Sequence, residues 1–271
     1  MADFAMGPAL LFCPADRQER YAKAAERADA VILDLEDAVA PDAKDFAREA
    51  LAASTLDATR TIVRVNPAGT ADFALDLAAL ARTDYRTVIL AKTESALQLS
   101  ALADFDVIAL VETAAGVVAA AEIAAEPNVV ALMWGAEDLV ASLGGTSSRF
   151  ADGRYRSVAQ HARSSVLLAA GANGKAAIDA VYVNIPDVDG LAAEASDAVA
   201  SGFGATACIH PSQVAVIRAA YLPSDDDVAW ARAVLAAAVG EHGAFQLHGQ
   251  MIDGPILKHA EKVLRRATVT R

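Results

Sequence analysis

The chain has 271 residues, a formal net charge of −12 and a hydrophobic content of 55%. The acidic balance argues against binding to nucleic acids and to anionic membrane surfaces, because both recruit basic patches. No apolar run approaches the roughly 18 residues of a membrane span, and the length fits one domain with a C-terminal extension better than two full domains.

The N-terminus and the cysteines indicate the compartment. The first four residues lack the basic and apolar regions of a signal peptide. Only two cysteines occur, Cys13 and Cys208, which is typical of a reducing compartment. We therefore expect a cytoplasmic protein. Both cysteines fall in predicted strands and are interpreted as buried small apolar side chains, with a close thiol pair between the first and last strands as the alternative.

Eight short apolar segments rich in β-branched residues follow one another, and most precede a segment with helical spacing. Continuous apolar runs are typical of parallel strands, because both faces of a parallel sheet are covered. Eight such units in about 220 residues predict an α/β fold, a (β/α)8 TIM barrel over residues 1–222, with a C-terminal helical extension over 223–271. The rival open sheet is disfavoured because no strand is followed by a Gly-x-Gly-x-x-Gly turn. The predicted strands are residues 9–13, 31–35, 61–65, 87–91, 107–111, 129–133, 180–184 and 206–209.

The segments between and after the strands predict helices and one unusual loop. Alanine-rich residues 17–28 and 114–125 are typical of helices with one polar face. The glycine-rich stretch 144–153 is longer than an ordinary connection, so we interpret it as a lid or a subunit contact. A phosphate cradle is the weaker alternative, because no helix with a P-loop pattern follows. In the extension, residues 226–239 and 255–266 predict two further helices.

Polar and charged residues follow nearly every predicted strand, at the end of a barrel where chemistry occurs. Glu112 and Asp138 follow the fifth and sixth strands, so we expect both carboxylates at one edge of the barrel. Such a pair, completed by water, suits Mg²⁺. The alternative is that each acid only favours the start of the next helix. Further strand-end residues are Arg17, Glu36, Asp37, Arg64, Lys92, Asp187 and His210.

This set of residues suits a retro-Claisen or retro-aldol cleavage. A metal ion would lower the pKa of a substrate hydroxyl and polarise the forming carbonyl, while Arg64 would stabilise an enolate oxygen. A carboxylate must then deliver or remove a proton. Glu36 and Asp37 are one candidate pair, and Asp253 is the other. Our hypothesis is that Asp253 exchanges the proton while Glu36 orients Arg64 and metal-bound water. The alternative for Glu36 and Asp37 is structural pairing with Lys44 or Arg64.

Two further strand-end residues have less defined roles. Lys92 is placed for Schiff-base chemistry, but the metal pair is complete without a lysine, so an ion pair is the favoured interpretation. His210 lacks a second histidine or cysteine at zinc-ligand spacing. It is interpreted as a turn histidine.

Eight motifs occur in order: LFCP at 11–14, DLEDAV at 34–39, RVN at 64–66, LAKTE at 90–94, VET at 111–113, GAEDL at 135–139, IHPSQ at 209–213 and MID at 251–253. Over essentially the whole chain they resemble the citrate lyase β-subunit family, also called the HpcH/HpaI aldolase and citrate lyase group. Its members include malyl-CoA and citramalyl-CoA lyases, and this chain most resembles the stand-alone actinobacterial type. One departure is Ala15-Asp16, where many relatives have glycine after the proline.

The resemblance implies a Mg²⁺-dependent carbon–carbon lyase acting on 3-hydroxyacyl-CoA thioesters of the malyl, citramalyl or 3-hydroxy-3-methylglutaryl type. It implies that Glu112 and Asp138 ligate the metal and that Arg64 faces the thioester. It also implies a homotrimer in which Asp253 enters the active site of an adjacent subunit, where we expect it to exchange the carbon-bound proton. Expected product contacts are the backbone amides of Gly135, Ala136 and Glu137, and expected contacts to the CoA phosphates are Arg17, Lys23 and Lys44.

Two other functions stay open at the level of sequence. One is a free-acid 2-oxo-acid aldolase, which would not need the cations Arg17 and Lys44. The other is a citrate lyase β subunit that depends on partner subunits. Asp253 argues for self-sufficiency, because an identical chain would supply it. The sequence does not choose the acyl group.

Overall fold

The structure is a computed structural model that describes residues 6–241 and 243–269. The first four residues, which carried the signal-peptide argument, lie outside these ranges. The chain divides into two compact units, Met1–Ile217 and Arg218–Arg271. This division falls inside a helix over Pro211–Tyr221, and the predicted boundary after residue 222 lies at the end of that helix. No helix among the described residues is long and apolar enough to cross a membrane.

The first unit is a closed barrel of eight parallel strands in chain order, with the first strand paired to the last. The predicted TIM barrel is therefore confirmed. Seven of the eight predicted strands overlap observed ones. The strands are β1 (Ala9–Pro14), β2 (Ala30–Asp34), β3 (Thr61–Val65), β4 (Thr87–Leu90), β5 (Asp106–Val111), β6 (Val129–Trp134), β7 (Ala176–Asp179) and β8 (Ala205–Cys208).

The prediction of the seventh strand was wrong, because β7 precedes residues 180–184 and ends at Asp179. Asp179 is only 1% exposed. Its charge is met by the Arg163 guanidinium at 2.7 Å and its Oδ1 accepts the Trp134 indole N–H at 2.6 Å. Asp179 interrupts the apolar pattern of β7, and its charge is compensated by residues of other elements. The sequence pattern therefore favoured the uncharged residues 180–184 as the strand. Asp187, expected at this strand end, instead accepts the backbone N–H of Gly190 and caps the next helix.

Helices alternate with the strands, except that a 3-10 helix over Ala96–Leu102 joins β4 to β5. The predicted helix at 114–125 is confirmed as α4, and its N-cap Thr113 accepts the N–H of Gly116 at 3.1 Å. The segment 17–28 forms a 3-10 turn and then α1. The helices are α1 (Tyr21–Arg27), α2 (Lys44–Ala52), α3 (Ala71–Leu80), α4 (Ala114–Ala125), α5 (Ala136–Ser142), α6 (Ser157–Ala172), α7 (Val188–Ser201) and α8 (Pro211–Tyr221).

The apolar interior of the barrel determines which strand residues reach its mouth. Side chains from all eight strands pack together there, and they include Leu10, Ile32, Ile62, Ile89, Leu110, Met133 and Ile178. Successive strand residues alternate between the two sides of a sheet. The residues two positions beyond Leu10, Ile32, Ile62 and Leu110 are Phe12, Asp34, Arg64 and Glu112. One aromatic and three charged side chains therefore form the layer above the apolar interior.

The second unit contains α9 (Asp225–Ala237), an antiparallel hairpin of β9 (Phe245–Leu247) and β10 (Gln250–Ile252), and α10 (Gly254–Val269). The two predicted helices of the extension are present. The hairpin was not predicted, because strands of three residues give too short a pattern. The unit has its own small core, formed by Ala231, Val234, Ile252, Ala260 and Val263.

Candidate active site

A cavity of about 170 Å³ opens among the C-terminal strand ends of the barrel. Its polar wall comes from β2, β3, the end of β5 and the first turn of α5. Its apolar wall comes mainly from β1, β6 and the segments after β7 and β8. The polar lining residues are Asp34, Arg64, Glu112, Glu137 and Asp138, and the apolar ones include Phe12, Leu110, Met133, Trp134, Val181 and Ile209.

The Arg64 guanidinium is fixed at the floor of this cavity. Arg64 and Asp34 are directly paired residues of neighbouring strands. The arginine donates from Nε and Nη2 to the two Asp34 oxygens, each at 2.6 Å, and Nη1 lies 3.1 Å from Glu36 Oε2. The same guanidinium lies 4.9 Å from the centre of the Phe12 ring. Burial, the largest single influence, would lower the pKa of Arg64, but the charge and hydrogen bonds of Asp34 together with the charges of Glu36 and Glu112 raise it, so the side chain stays charged.

Asp34 belongs to one of the sequence motifs but is not among the predicted site residues. Asp34 is fully buried. Besides Arg64, its carboxylate accepts the backbone N–H groups of Glu36 at 3.0 Å and Ala38 at 3.1 Å. It therefore organises the loop after β2 as well as the arginine. An acid that ends an apolar strand, beside an arginine in the next strand, was the available signal.

Glu112 is a buried carboxylate at the end of β5, with 2% of its surface exposed. Its Oε1 accepts the Lys92 backbone N–H at 3.1 Å. Burial, and next the negative charge of Asp138, raise the pKa of Glu112 to about 8, against the opposing charges of Arg64 and Lys92. A Cβ added at Gly135 would lie 2.7 Å from Glu112 Oε2. Only glycine permits this close approach.

The structure brings Glu112 and Asp138 to one cavity, as the strand order predicts. Asp138 lies in the first turn of α5 and is half-buried. The negative charge of Asp138 favours the protonated form of the buried Glu112. A hard divalent cation would bind both carboxylates and stabilise their ionised forms. Among the described residues no group of three potential ligands surrounds such a position. Water or substrate oxygen atoms would therefore complete the coordination.

Lys92 follows β4 and reaches across the mouth of the barrel. Its ammonium contacts Glu36, lies 3.1 Å from Asp37 Oδ2 and lies 3.4 Å from Asp138 Oδ1. Burial alone would lower the pKa of Lys92, but the hydrogen bond to Glu36 and the charges of Glu112, Glu36 and Asp138 raise it. Because a Schiff base requires a neutral amine, these contacts favour the ion-pair interpretation.

The two acids after β2 differ in burial. Glu36 is 3% exposed and its carboxylate lies between Arg64 and Lys92, as expected for a residue that orients the arginine. Asp37 is exposed at the rim and also reaches Lys92. Lys44 reaches Glu36 at its backbone oxygen, at 3.2 Å, rather than at its carboxylate. The carboxylates are therefore paired with Arg64 and Lys92, and Lys44 is not their partner.

Lys44 was expected to contact the CoA phosphates, but it is engaged inside the protein. Its buried ammonium donates to the backbone oxygens of Leu35 and Glu36 and to Asn66 Oδ1, at 2.8, 3.2 and 2.8 Å. An ammonium has three donors, so none is left for a CoA phosphate. Lys44 ties the loop after β2 to β3. In contrast, Arg17 and Lys23 are exposed and can meet a ligand.

Of the three backbone amides expected to contact the product, one is already hydrogen-bonded within the protein. The Gly135 N–H donates to the Val111 oxygen of β5 at 3.3 Å and is therefore already engaged. Ala136 and Glu137 are the first two residues of α5. Backbone N–H groups at these positions have no partner within a helix. The set of amides suited to an oxo acid is thus reduced to Ala136 and Glu137.

His210 and Asp253 are both engaged in local hydrogen bonds. The exposed His210 contacts Ser212 Oγ through Nδ1 at 2.7 Å, which fits a turn histidine. Asp253 belongs to the second unit and is half-buried. Its Oδ1 accepts the Ile256 N–H at 3.3 Å and caps α10. Its expected role in a neighbouring subunit stays a prediction.

The long loop after α5 is fixed by contacts within the first unit. Arg149 makes a two-pronged ion pair with Glu194 of α7, at 2.7 and 3.0 Å, and stacks on the Tyr155 ring at 3.7 Å. Tyr155 in turn donates to Glu194 Oε1 at 2.8 Å. These contacts describe a fixed wall rather than an open lid.

This wall connects to the cavity at two points. Ser148, 2% exposed, donates to Glu137 Oε1 at 2.6 Å. The Tyr155 ring meets Trp134 edge-on, with ring centres 5.1 Å apart. Both Glu137 and Trp134 line the cavity. The loop therefore supports the first turn of α5, which carries Asp138.

Residues 9–211 match the family model of the HpcH/HpaI aldolase/citrate lyase group. The chain belongs to this family. The resemblance carried by the sequence motifs is thus confirmed, and the family is one of aldolases and carbon–carbon lyases.

Relatives in this family bear several activities. A citrate lyase subunit beta-like protein of Mycobacterium tuberculosis is 62% identical and covers 97% of this chain and 96% of its own length. A (3S)-malyl-CoA thioesterase of Cereibacter sphaeroides is 34% identical, over 97% of this chain and 93% of its own. The mitochondrial citramalyl-CoA lyase of Mus musculus is 31% identical, over 96% and 86%.

Solved structures of the HpcH/HpaI family include the M. tuberculosis protein CitE in complex with magnesium, acetoacetate and coenzyme A. It superposes with a TM-score of 0.93, 62% identity and coverage of 97% of this chain and 99% of that chain. A second CitE structure contains magnesium and pyruvate and gives a TM-score of 0.85 at 57% identity, with coverage of 96% and 99%.

Proposed function

We propose that this protein is a Mg²⁺-dependent carbon–carbon lyase that cleaves a 3-hydroxyacyl-CoA thioester to an acyl-CoA and an oxo acid. The observation that carries the proposal is the meeting of Glu112, Asp138 and a fixed Arg64 in one cavity at the barrel mouth. The magnesium, acetoacetate and coenzyme A bound by the 62% identical CitE support it. The substrate is of the malyl, citramalyl or 3-hydroxy-3-methylglutaryl type.

Glu112 and Asp138 would hold the magnesium ion. When bound there, Mg²⁺ supplies Lewis-acid assistance by lowering the pKa of a hydroxyl group and stabilising charge on a forming carbonyl. The buried Glu112 carboxylate beside Asp138 fits this role because burial and the charge of Asp138 raise its pKa, and a divalent cation would oppose both effects. Water molecules and substrate oxygens would fill the other positions.

Arg64 would stabilise the enolate oxygen of the departing thioester. Its bonds to Asp34 use Nε and Nη2, and Nη1 lies near Glu36. Five guanidinium N–H groups are available in total, and Arg64 lines the cavity, so N–H groups remain for the substrate. Because the guanidinium is held before the substrate arrives, it needs no reorganisation in the transition state.

Glu36 and Asp253 would divide the remaining work. Glu36 lies between two cations and so stays with Arg64, which it orients. Asp253, from an adjacent subunit of a homotrimer, would exchange the proton of the acyl carbon. Arg17 and Lys23, both exposed, would contact the CoA phosphates. The amides of Ala136 and Glu137 would hold the oxo acid.

The experiment is to incubate the protein with malyl-, citramalyl-, citryl- and 3-hydroxy-3-methylglutaryl-CoA, first with Mg²⁺ and then with EDTA. We expect Mg²⁺-dependent release of an oxo acid from at least one thioester, measured by a coupled dehydrogenase and by mass spectrometry. The variant Glu112→Gln serves as the inactive control. Free CoA without carbon–carbon cleavage would indicate a thioesterase instead.

The free acids of the same panel test the alternative functions. Cleavage of free acids that is unaffected by Arg17→Ala and Lys23→Ala would favour a free-acid aldolase. Absence of any turnover by a protein that binds Mg²⁺ would favour a citrate lyase β subunit that needs partners. The CoA lyase predicts loss of activity on thioesters when both cations are removed.

A further inference from the structure

Lys92 connects four carboxylates of the barrel mouth. Its backbone N–H donates to Glu112 Oε1 at 3.1 Å. Its ammonium contacts Glu36, Asp37 and Asp138, the last at 3.4 Å. One residue thus touches both carboxylates of the proposed metal site, one through the backbone and one through the side chain.

The backbone at Lys92 shows that this placement is a built feature. Lys92 has a φ of 49°, in the left-handed region that favours glycine. Among the described non-glycine residues, only His248 shares a positive φ. Such strained conformations persist where surrounding structure imposes them, and they cluster at functional sites. Here the N–H and the side chain of one residue both face acids of the barrel mouth.

The distribution of charge gives Lys92 a specific effect on a metal ion. The carboxylates of Asp34, Glu36, Asp37, Glu112 and Asp138 meet two cations, Arg64 and Lys92. Arg64 is engaged by Asp34 and Glu36. The positive charge that contacts Asp138 is therefore the ammonium of Lys92. Asp138 is also one of the two acids that would bind the divalent cation.

We propose that the Lys92 ammonium competes with the divalent cation for Asp138: it lies 3.4 Å from Asp138 Oδ1, and it would keep only its contacts with Glu36 and Asp37 when the metal binds. The inference rests on the proposed magnesium site. Its physical basis is that two positive charges a few ångströms apart repel strongly in a partly buried site. Lys92 therefore weakens metal binding. When no metal is bound, its ammonium provides the positive charge beside Asp138.

Calorimetric titration of the metal-free full chain with MgCl₂ tests this competition. For Lys92→Met, which removes the charge and keeps the length, we expect Mg²⁺ to bind at least about tenfold more tightly than to the wild type. For Lys92→Arg, which keeps the charge, we expect a Kd within about threefold of the wild type. Lys175→Met is the matched control. Lys175 directly precedes β7 at the opposite barrel end, where its ammonium lies 3.3 Å from the Glu126 oxygen.

Thermal melting provides a second readout that does not depend on activity. Lys92→Met should melt below the wild type without metal, because the carboxylates lose their counter-ion, and should gain more from added Mg²⁺. If Lys92→Met does not fold, Lys92→Gln, which keeps a hydrogen-bond donor, must show the same tighter binding.

The outcomes separate this inference from the proposed function. Unchanged or weaker Mg²⁺ binding by the charge-removing variants, with a normal wild-type titration, overturns the competition and leaves the metal site in place. A wild type that binds no Mg²⁺ overturns both. Tighter binding by Lys92→Met with no change in Lys175→Met supports the competitor role.

Discussion

Arg64 is held on three sides before any substrate arrives. Asp34 takes two of its nitrogens, Glu36 lies beside the third, and the Phe12 ring covers one face. A lysine has the same charge but lacks the planar fork that matches a carboxylate. The geometry of the guanidinium, beyond its charge, is therefore what the site uses.

For Arg64→Lys we expect kcat on the active thioester to fall by roughly 10²–10³-fold, the usual loss of one preorganised donor. The melting temperature should change little, since the positive charge beside the buried Asp34 is kept. Steady-state kinetics with a melting curve check this. Arg86→Lys is the control, because Arg86 bonds to backbone oxygens of Thr83 and Tyr85 before β4. Equal loss in both variants would contradict the prediction.

The cysteines allow a test of burial at the first and last strands. Both are buried, and neither forms a disulfide. Burial is the largest influence on Cys13 and raises the pKa of its thiol to about 11, despite the opposing charge of Arg20. Because the thiolate is the reactive form, only about one thiol in a thousand is reactive at pH 8.

We therefore expect native protein to react very slowly with a thiol-specific reagent at pH 8, and both thiols to react after denaturation. Absorbance of the released chromophore measures the count. Labelling of Cys13 should accelerate as the pH rises toward 11. Rapid labelling of one thiol in the native state at pH 8 would show that the strand is more open than its burial indicates.

Among the elements, α6 and β7 are joined by a buried ion pair. Arg163 of α6 donates to both oxygens of Asp179, and its Nη1 also reaches Asp197 of α7. Arg163 and Asp179 are both almost fully buried. Removing one member of such a pair leaves a charge in the interior without compensation.

For Arg163→Met we expect the free energy of unfolding to fall by about 3–5 kcal/mol. Urea denaturation followed by circular dichroism measures this. The double variant Arg163→Met/Asp179→Asn should recover a large part of the loss, because it removes the buried charge and keeps an acceptor for the Trp134 indole. A double variant as unstable as the single one would mean that lost packing, not the unpaired charge, dominates.

The ion pair between Arg149 and Glu194 is one of the contacts that hold the loop between α5 and α6. Arg149 and Glu194 have side chains that are 17% and 14% exposed. Their bond is thus better shielded from water than an ordinary surface pair. Within the same loop, Arg154 is highly exposed and provides a site for trypsin.

For Arg149→Met we expect cleavage after Arg154 to accelerate by about 5–30-fold, corresponding to a loss of 1–2 kcal/mol in local stability. Limited trypsin digestion with mass spectrometry gives the rate. Arg82→Met is the matched control, since Arg82 and Glu49 form a two-pronged pair that is more than half exposed. Equal cleavage rates for both variants would show that the loop is held by other contacts.

At the scale of the whole molecule, the proposed active site depends on two subunits of an oligomer. Glu112 belongs to the first unit and Asp253 to the second. In the single chain, Asp253 caps α10. Our proposal is that the reaction combines Glu112 of one subunit with Asp253 of a neighbour in a homotrimer.

Mixing two inactive variants tests this arrangement. Glu112→Gln and Asp253→Asn should each be inactive alone, whereas subunits unfolded and refolded together in equal amounts should regain about a quarter of wild-type activity in a closed ring. Lyase assays and size-exclusion chromatography measure the result. No recovery in a mixed trimer would place both residues in the same subunit's site, and full activity of Asp253→Asn alone would remove its proposed role.

The sequence by itself determined the barrel, because continuous apolar runs separated by helical spacing admit few other arrangements. It also determined that Glu112 and Asp138 meet, since consecutive parallel strands end at the same edge. The motifs were sufficient to identify the family. These features depend on local periodicity and chain order, which sequence records directly.

Only the tertiary structure decided the partners of buried charges. β7 lies before its predicted position because its last residue, Asp179, can be buried there. Arg163 neutralises the charge of Asp179 and Trp134 donates a hydrogen bond to it, and both are distant from it in the chain. Lys44 was expected to contact a CoA phosphate, but its ammonium donates all three of its hydrogen bonds to oxygen atoms inside the protein. The cost of burying an ion depends on what surrounds it in space, and linear sequence does not record those neighbours.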